Sequence, residues 1–550
     1  MTANKGFLRN TAVMFAAMFI SKALGAVLKI PLGNILGGEG MGYFTTAYSI
    51  FTPVLSFVCA GIPTVLTRSV AGYAAAGEYR SVRNVRRCSL LLALAAGIAG
   101  SALIFAAAVP FVCVIANSPE SLPAVLIIAP ATVFCSITAV YRGYYEGLSD
   151  TLPTALSQVI ESFVRAGVGV GLSYYVYVNG VRFFGSQSAA LPYSAAAAIL
   201  GVTVSEICGT LFMLVRSRRR SDSYRDSGEK MTGAEILAVC REITVKALPI
   251  SLGAAASNLI SLADMLTISN CIDLSASIFD GYWASDTLLS EIRSNFSGVG
   301  NFMYGCYAGI IMSVYMLTSS VSGVIARCEL PRLTYAAEKG SVTDLGREIK
   351  LLIKGTASVT APVSALMAVL SEPVLQVLYP ARTAEVAVSA VPLTLLSAGG
   401  LVPALLGSVC MIFNAYGDFG FPIKVTLIGG AVKLVFNVMF IAVPQMNISG
   451  AAISSVLSCA VCLVYSVRTL KKRFGISTGC IRYSIPSVFA GLGGGVGAYL
   501  FFRGLEAHAG TLAALAVSAT AGAVIYALML FIYDSSDCAA VIRLLRKKRV

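Results

Sequence analysis

The sequence predicts an all-α polytopic membrane protein of about fourteen transmembrane helices, built as two six-helix lobes in a parallel pseudo-two-fold repeat plus two C-terminal helices. Three observations carry this reading. Of 550 residues, 57% are hydrophobic and 12% charged, against about 25% charged in soluble domains. Apolar stretches of about 20 residues, enough to cross a bilayer as a helix, recur along the whole chain. Arg and Lys collect in alternate connections, as they do on the cytoplasmic side of membrane proteins.

The apolar segments place helices at 7–34, 43–67, 88–115, 122–145, 153–178, 192–215, 241–269, 301–326, 349–371, 386–414, 421–443, 449–470, 483–503 and 511–533. The first has a basic start, but its apolar run is too long for a signal peptide and lacks a convincing cleavage site, so it is read as a span. One set of connections holds Arg80, Arg83, Arg86 and Arg87, then Arg216, Arg218, Arg219, Arg220 and Arg225, then Arg332, Lys339, Arg347 and Lys350. Lys471, Lys472 and Arg473 follow, then the RLLRKKR tail, while the opposite set holds Arg182, Arg293, Arg382 and Arg503. Both termini are therefore expected in the cytoplasm of a plasma-membrane protein. The expected organisation is an N-terminal lobe over 1–215, a basic cytoplasmic linker over 216–240, a C-terminal lobe over 241–474, and two further helices with a basic tail over 475–550. The longest external break, 271–300, contains Asp273, Asp280, Asp286, Glu291 and the only tryptophan, Trp283. It is expected to hold a short interfacial helix with Trp283 at the headgroups.

The halves resemble each other. YEGLSDTLP leads into a helix with Arg165 twelve residues after Pro153, and NAYGDFGFP into one with Lys433 eleven after Pro422. Each half thus puts a cation at mid-depth in its fifth span. Ala195-Ala196 and Ala451-Ala452 each precede a basic cytoplasmic end by about 20 residues. The copies run in the same direction, a plan in which substrate binds between halves near the midplane.

Charges at membrane depth are the candidate functional groups, because each costs about 2.5–3.5 kcal/mol at a helix centre and usually faces a cavity or a partner. Lys22 and Lys29 are seven residues apart, nearly two turns, and form a stripe on one helix face; for Lys29 the alternative is snorkelling to the headgroups. Glu161 and Arg165, four apart, are placed to neutralise each other, either as a positioning pair or as a functional one. Glu206 and Asp264 are candidate coupling acids, or partners of Lys22, Lys433 or Arg165 across the cavity. Gln158, Asn258 and Asn414 have interhelical hydrogen bonding as their default explanation.

Enzyme chemistry finds little support. The single His508 lies in the last external loop, no GxxxxGK[ST] motif is present, and most of the 14 cysteines sit singly in apolar segments. The Cys459–Cys462 CxxC lies within an apolar helix with no metal-ligating neighbour. The charge of +14 is topogenic in its distribution, so no nucleic-acid partner is expected.

KIPLGNILGGEGMGYFTTAYSIF, GIPTVLTRSVA, YYEGLSDTLPTALSQVIESFVR, ALPISLGAAASNLISLAD and YGCYAGI resemble the stage V sporulation protein B group of polysaccharide and lipid-linked oligosaccharide exporters. This group belongs to the multidrug/oligosaccharidyl-lipid/polysaccharide exporter superfamily, with the MurJ-type lipid II flippases and the MATE drug antiporters. The resemblance implies two lobes, alternating access and a cationic cavity for an anionic lipid-linked sugar headgroup, with Lys22, Lys29 and Arg165 matching family cavity cations. Lysine stands where MurJ-type members tend to have arginine, and GDFGFP is looser than the usual form at Lys433. The expected function is flipping of undecaprenyl-pyrophosphate-linked sugars, lipid II or another cell-wall or polysaccharide precursor. A cation-coupled MATE-type multidrug antiporter is the alternative transporter, and an integral-membrane glycosyltransferase or ligase the alternative enzyme. Substrate binding is assigned to Lys22, Lys29, Arg165, Lys433, Gln158 and Asn258, and ion coupling to Glu206, Asp264 and Glu161. No cofactor is expected beyond a coupling Na+ or H+, or the membrane potential. The lipid-linked substrate and the bilayer are the partners of an expected monomer, with cell-wall synthesis enzymes as candidate associates.

Overall fold

The computed structural model describes residues 2–219, 232–296, 298–316, 333–337, 342–418, 420–476 and 478–533, without the side chains of 2–24, 26–27, 219, 342–344, 478, 480 and 509. Most of the 216–240 linker and the basic tail, and the side chain of Lys22, therefore lie outside the described residues. The chain is helical throughout, with no strand among the described residues. Ten described helices are long and apolar enough to cross a membrane, or eleven if Thr383–Ala398 and Leu401–Ala415, bent by 42°, form one span.

The expected count of fourteen is not confirmed among the described residues, and the difference falls at particular places. Spans 7–34 and 43–67 lie in one helical stretch, Thr2–Ala75, broken at Gly37, whose φ of 63° suits a residue without a Cβ. We label its two parts α1 (2–36) and α2 (38–75). Helix α6 (Leu152–Val178) carries Glu161 and Arg165 at mid-length and is not among the ten. The expected span 301–326 lies in part outside the described residues.

The remaining helices are α3 (Tyr79–Pro110), α4 (Leu122–Ile128), α5 (Ala131–Gly147), α7 (Gly180–Phe184), α8 (Gln187–Arg219), α9 (Gly233–Ile278), α10 (Asp280–Ser285), α11 (Thr287–Asn295) and α12 (Val299–Tyr304). They continue with α13 (Val342–Val369), α14 (Ser371–Leu378), α15 (Thr383–Ala398), α16 (Leu401–Ala415), α17 (Gly420–Ile441), α18 (Asn447–Phe474), α19 (Ile485–Ala509) and α20 (Thr511–Tyr533).

Packing divides the chain into two compact units, Met1–Asp273 with Arg293–Ile310, and Leu274–Ile292 with Ile311–Val550. The sequence-based division at 216–240 puts the seventh span with the second lobe; here most of α9 falls in the first unit. Ile243 and Ala247 of α9 are buried with Val65 and Val70 of α2, Val85 of α3, Tyr145 of α5 and Met213 of α8. Helices in lipid gain nothing from hydrophobic burial against one another, so small residues that let backbones approach do much of the packing. In the first unit a methyl group at Gly201 of α8 would overlap the Gly169 backbone of α6.

The second unit has its core between α13, α16, α17 and α18, where Leu352, Val409, Phe421 and Cys462 are buried together and Phe413 stacks on Phe421 with ring centroids 3.7 Å apart. The two extra helices α19 and α20 pair through Gly494 and Gly522 and dock on α13, where the Tyr526 hydroxyl donates to the Ser358 carbonyl at 2.7 Å. The 271–300 stretch forms two short helices, α10 and α11, where the sequence reading expects one. Trp283, however, is buried at 1% exposure with its Nε1 directed at Ser275 Oγ, so the protein covers the ring expected at the headgroups.

Candidate functional site

The charged residues of α5, α6 and α8 form two interhelical ion pairs. Arg142 of α5 places Nη2 2.6 Å from both carboxylate oxygens of Glu161 on α6, and its Nε donates to Ser157 Oγ at 3.0 Å. Arg165 of α6 donates from Nη2 to Glu206 Oε1 of α8 at 2.7 Å and from Nε to Ser205 Oγ at 3.3 Å. The carboxylates are the buried partners, at 8% and 11% side-chain exposure against 23% and 29% for the guanidinium groups. Tyr48 of α2 and Cys135 of α5 flank the second pair.

The expected i,i+4 pair between Glu161 and Arg165 is thus replaced by an exchange of partners across three helices. Gly209 of α8 is part of the reason, because a side chain there would overlap Glu161 Oε1. Glu161 consequently lies against bare α8 backbone with Arg142 within reach, and Arg165 turns to Glu206. Arg142 was absent from the sequence-based site. Its signal was available: an arginine inside the apolar 122–145 span, eight residues before Asp150.

The second unit supports the internal repeat through its turns. After α5, Asp150 N–H bonds to the Tyr145 carbonyl and Ser149 N–H to that of Glu146; after α16, Asp418 N–H bonds to Phe413 and Gly417 N–H to Asn414. Both are Schellman closures, six-to-one and five-to-two, with the left-handed residue at Ser149 (φ 59°) and Gly417 (φ 81°). With the turns superposed, Arg165 and Lys433 each stand fifteen residues after the turn aspartate. Arg142 then corresponds to Cys410 and Glu161 to Gly429; the alanine pairs match Glu206 to Cys462. A methyl at Gly429 would lie 3.0 Å from Cys462 Sγ, and that thiol is 3.5 Å from the Val425 carbonyl. The first unit therefore has two ion pairs where the second has cysteines, a glycine and Lys433.

The other expected residues lie on α1, α6, α9 and α17. Lys29 is half-buried on α1, Gln158 half-buried on α6, and Lys433 half-buried on α17. The Asn258 amide of α9 donates to Ser56 Oγ of α2 at 2.8 Å and to its own helix at Ala254, which is the interhelical stitch expected of it. Asp264 of α9 is half-buried near Tyr304 of α12. The sequence reading also omitted Glu39, which is buried and accepts the Tyr43 hydroxyl at 3.0 Å.

Within the first unit the end of α9, the segment after α3 and the start of α12 are tied together. Asp273 accepts from Gly300 N–H at 2.8 Å and from Asn117 at 3.0 Å, while the Asn301 amide donates to the Glu39 carbonyl at 3.1 Å. Side chains at Gly42 or Gly305 would destroy this approach, the first by overlapping Asn301 and the second by overlapping the Gly38 carbonyl. No metal-ligating group of three His, Cys, Asp or Glu residues occurs among the described residues.

Comparison with known proteins gives a consistent result. The family model described as "Polysaccharide biosynthesis protein" matches residues 7–335, and that described as "Lipid II flippase MurJ" matches 294–533. Two relatives from Bacillus subtilis (strain 168) are similar along most of their length. Stage V sporulation protein B is 21% identical over 88% of this chain and 87% of its own, and lipid II flippase MurJ is 20% identical over 86% and 83%. Among solved structures, a lipid II flippase MurJ in an inward closed conformation has a TM-score of 0.66 at 12% identity, covering 95% of this chain and 98% of that one. An inward-facing MATE-family multidrug transporter of the MOP superfamily has a TM-score of 0.65 at 15% identity, covering 84% and 99%. These two likenesses concern the fold.

Proposed function

The chain belongs to the polysaccharide biosynthesis protein family, and from that premise we propose that it is an alternating-access flippase for undecaprenyl-pyrophosphate-linked sugars, moving lipid II or another cell-wall precursor from the inner to the outer leaflet. The observation that carries this reading against drug–cation antiport is the disposition of the acids. An organic cation needs acidic groups open to the transport path, and Glu161 and Glu206 are each already held by an arginine at 2.6–2.7 Å. The stripe of Lys22 and Lys29 that the sequence spacing predicts is the matching design for a pyrophosphate, which carries about two negative charges and many acceptor oxygens, because lysines in a lower-dielectric cleft can replace part of its hydration. The polyprenyl tail stays in lipid.

In this reading Lys22, Lys29 and Lys433 bind substrate. Arg165 and Asn258 position helices; Gln158 remains with the binding set. Coupling falls to Asp264 with Na+ or H+, or to the membrane potential alone, which supplies about 2.3 kcal/mol per charge per 100 mV. Both termini and the 216–240 linker face the cytoplasm of the plasma membrane, and the protein works as a monomer beside cell-wall synthesis enzymes. The test is reconstitution into vesicles with a fluorescent undecaprenyl-pyrophosphate sugar. Protein-dependent exchange between leaflets is expected; no exchange, together with export of organic cations by the same vesicles, would replace the flippase by the antiporter.

A further inference from the structure

Helices α2 and α9 touch at one level and part at another. A methyl at Gly61 would overlap the Ala247 carbonyl and Ser251 Oγ of α9, whereas one at Gly72, about three turns further along α2, would meet nothing within 4 Å. Between these levels lies a cleft of about 660 Å³, within the size range of small-ligand sites. Its polar lining is Thr64, Arg68, Ser69 and Tyr73 from α2 and Glu242 and Lys246 from α9, beside the buried Val65; the Thr64 hydroxyl is taken by the Ala60 carbonyl of its own helix at 2.7 Å.

The charges do not balance. Lys246 Nζ donates to Glu242 Oε1 at 2.6 Å, which leaves Arg68 as the net charge of the cleft. Arg68 is exposed and has no acceptor among the described residues, and the Ser69 and Tyr73 hydroxyls have no hydrogen-bond partner among them either. A guanidinium beside two hydroxyl donors suits a tetrahedral oxyanion. The depth is also specific. Arg68 follows the apolar span 43–67 directly, and Lys246 stands near the start of the span 241–269, so both lie at the membrane–water boundary, on the side that carries Arg80, Arg83, Arg86 and Arg87. Basic pockets between helices at that level recognise anionic lipid headgroups.

We propose that the α2–α9 cleft binds the phosphate headgroup of an anionic inner-leaflet phospholipid, with Arg68 as the anchoring cation and Ser69 and Tyr73 as donors. The inner-leaflet assignment rests on the topology proposed above; the site itself does not. One net positive charge matches a phosphodiester better than the roughly two negative charges of a pyrophosphate, which places this site apart from substrate binding.

The test uses the full chain with a photoreactive benzoylphenylalanine at Thr64, an exposed residue of the cleft. It is reconstituted in phosphatidylcholine vesicles containing phosphatidylglycerol and a trace of undecaprenyl pyrophosphate, and adducts are identified by mass. The expected result is phosphatidylglycerol enriched over its share of the bilayer, with enrichment falling about fivefold in Arg68→Gln and also in Lys246→Gln, which leaves Glu242 uncompensated. Unchanged thermal unfolding of both variants checks that they fold. Adducts that follow bulk lipid composition in all three proteins would overturn the proposal, and so would enrichment of undecaprenyl pyrophosphate in place of phosphatidylglycerol.

Discussion

Arg165 bonds to Glu206 on α8 at 2.7 Å although Glu161 stands one turn away on its own helix. That choice fixes how α6 is held, because it frees Glu161 for Arg142 and joins α5, α6 and α8 through two charged contacts rather than one helix-internal pair. Removing one member of a buried pair leaves an uncompensated charge and costs about 3–5 kcal/mol, whereas replacing both by apolar groups is often neutral.

Arg142→Ala should therefore destabilise the protein by about 3–5 kcal/mol, while the double variant Arg142→Met, Glu161→Leu recovers most of the loss. Unfolding in detergent measures both. Equal stability of Arg142→Ala and wild type would mean that the pair does not hold the helices.

Gly209→Ala tests the space that lets Glu161 reach Arg142. Its added methyl displaces the carboxylate, with an expected cost of about 1–3 kcal/mol from overpacking. In a Glu161→Ala background the same substitution should be nearly silent. A Gly209→Ala penalty of the same size in both backgrounds would show that helix packing alone is responsible.

The Asp273 ties predict a labelling result under the proposed topology. Cys306 is fully buried beneath Gly38, which approaches it closely. Asp273→Ala deletes the acceptor for both Gly300 and Asn117, so a protein with Cys306 as its only cysteine should react several-fold faster with an impermeant maleimide added outside. An unchanged rate would indicate that the glycine contacts hold these ends without Asp273.

For topology, cysteines introduced at 222 and 545 of a Cys-less protein should be unreactive toward an impermeant reagent in intact cells and reactive after permeabilisation. Reaction in intact cells would reverse the orientation.

What the sequence made legible was local or periodic. Apolar length gave the spans, and the paired turns were readable because a Schellman closure is written in a few consecutive residues: Ser149-Asp150 before Pro153, Gly417-Asp418 before Pro422. The partner of Glu161 was not legible, because i,i+4 spacing states only what one helix permits; Arg142 wins through the packing of α5 and α8 and the missing side chain at Gly209. Trp283 was misplaced for the same reason. An aromatic in an external break reads as a headgroup anchor until tertiary packing covers it. The seventh span's membership in the first unit likewise rests on Ile243 and Ala247 finding Val65 and Val70, contacts between residues far apart in sequence.

The cationic stripe of α1 is the central claim, and Lys22→Ala tests it most directly. In cells that depend on this protein for flipping, with wild type and variant at equal membrane abundance, the measurement is the amount of labelled lipid II exposed on the outer surface. Lys22→Ala should lower that exposure by tenfold or more, taking the loss of one charge-assisted contact as about 1.5–3 kcal/mol, while Lys22→Arg retains most of it. Undiminished exposure with Lys22→Ala would contradict the cationic-stripe mechanism.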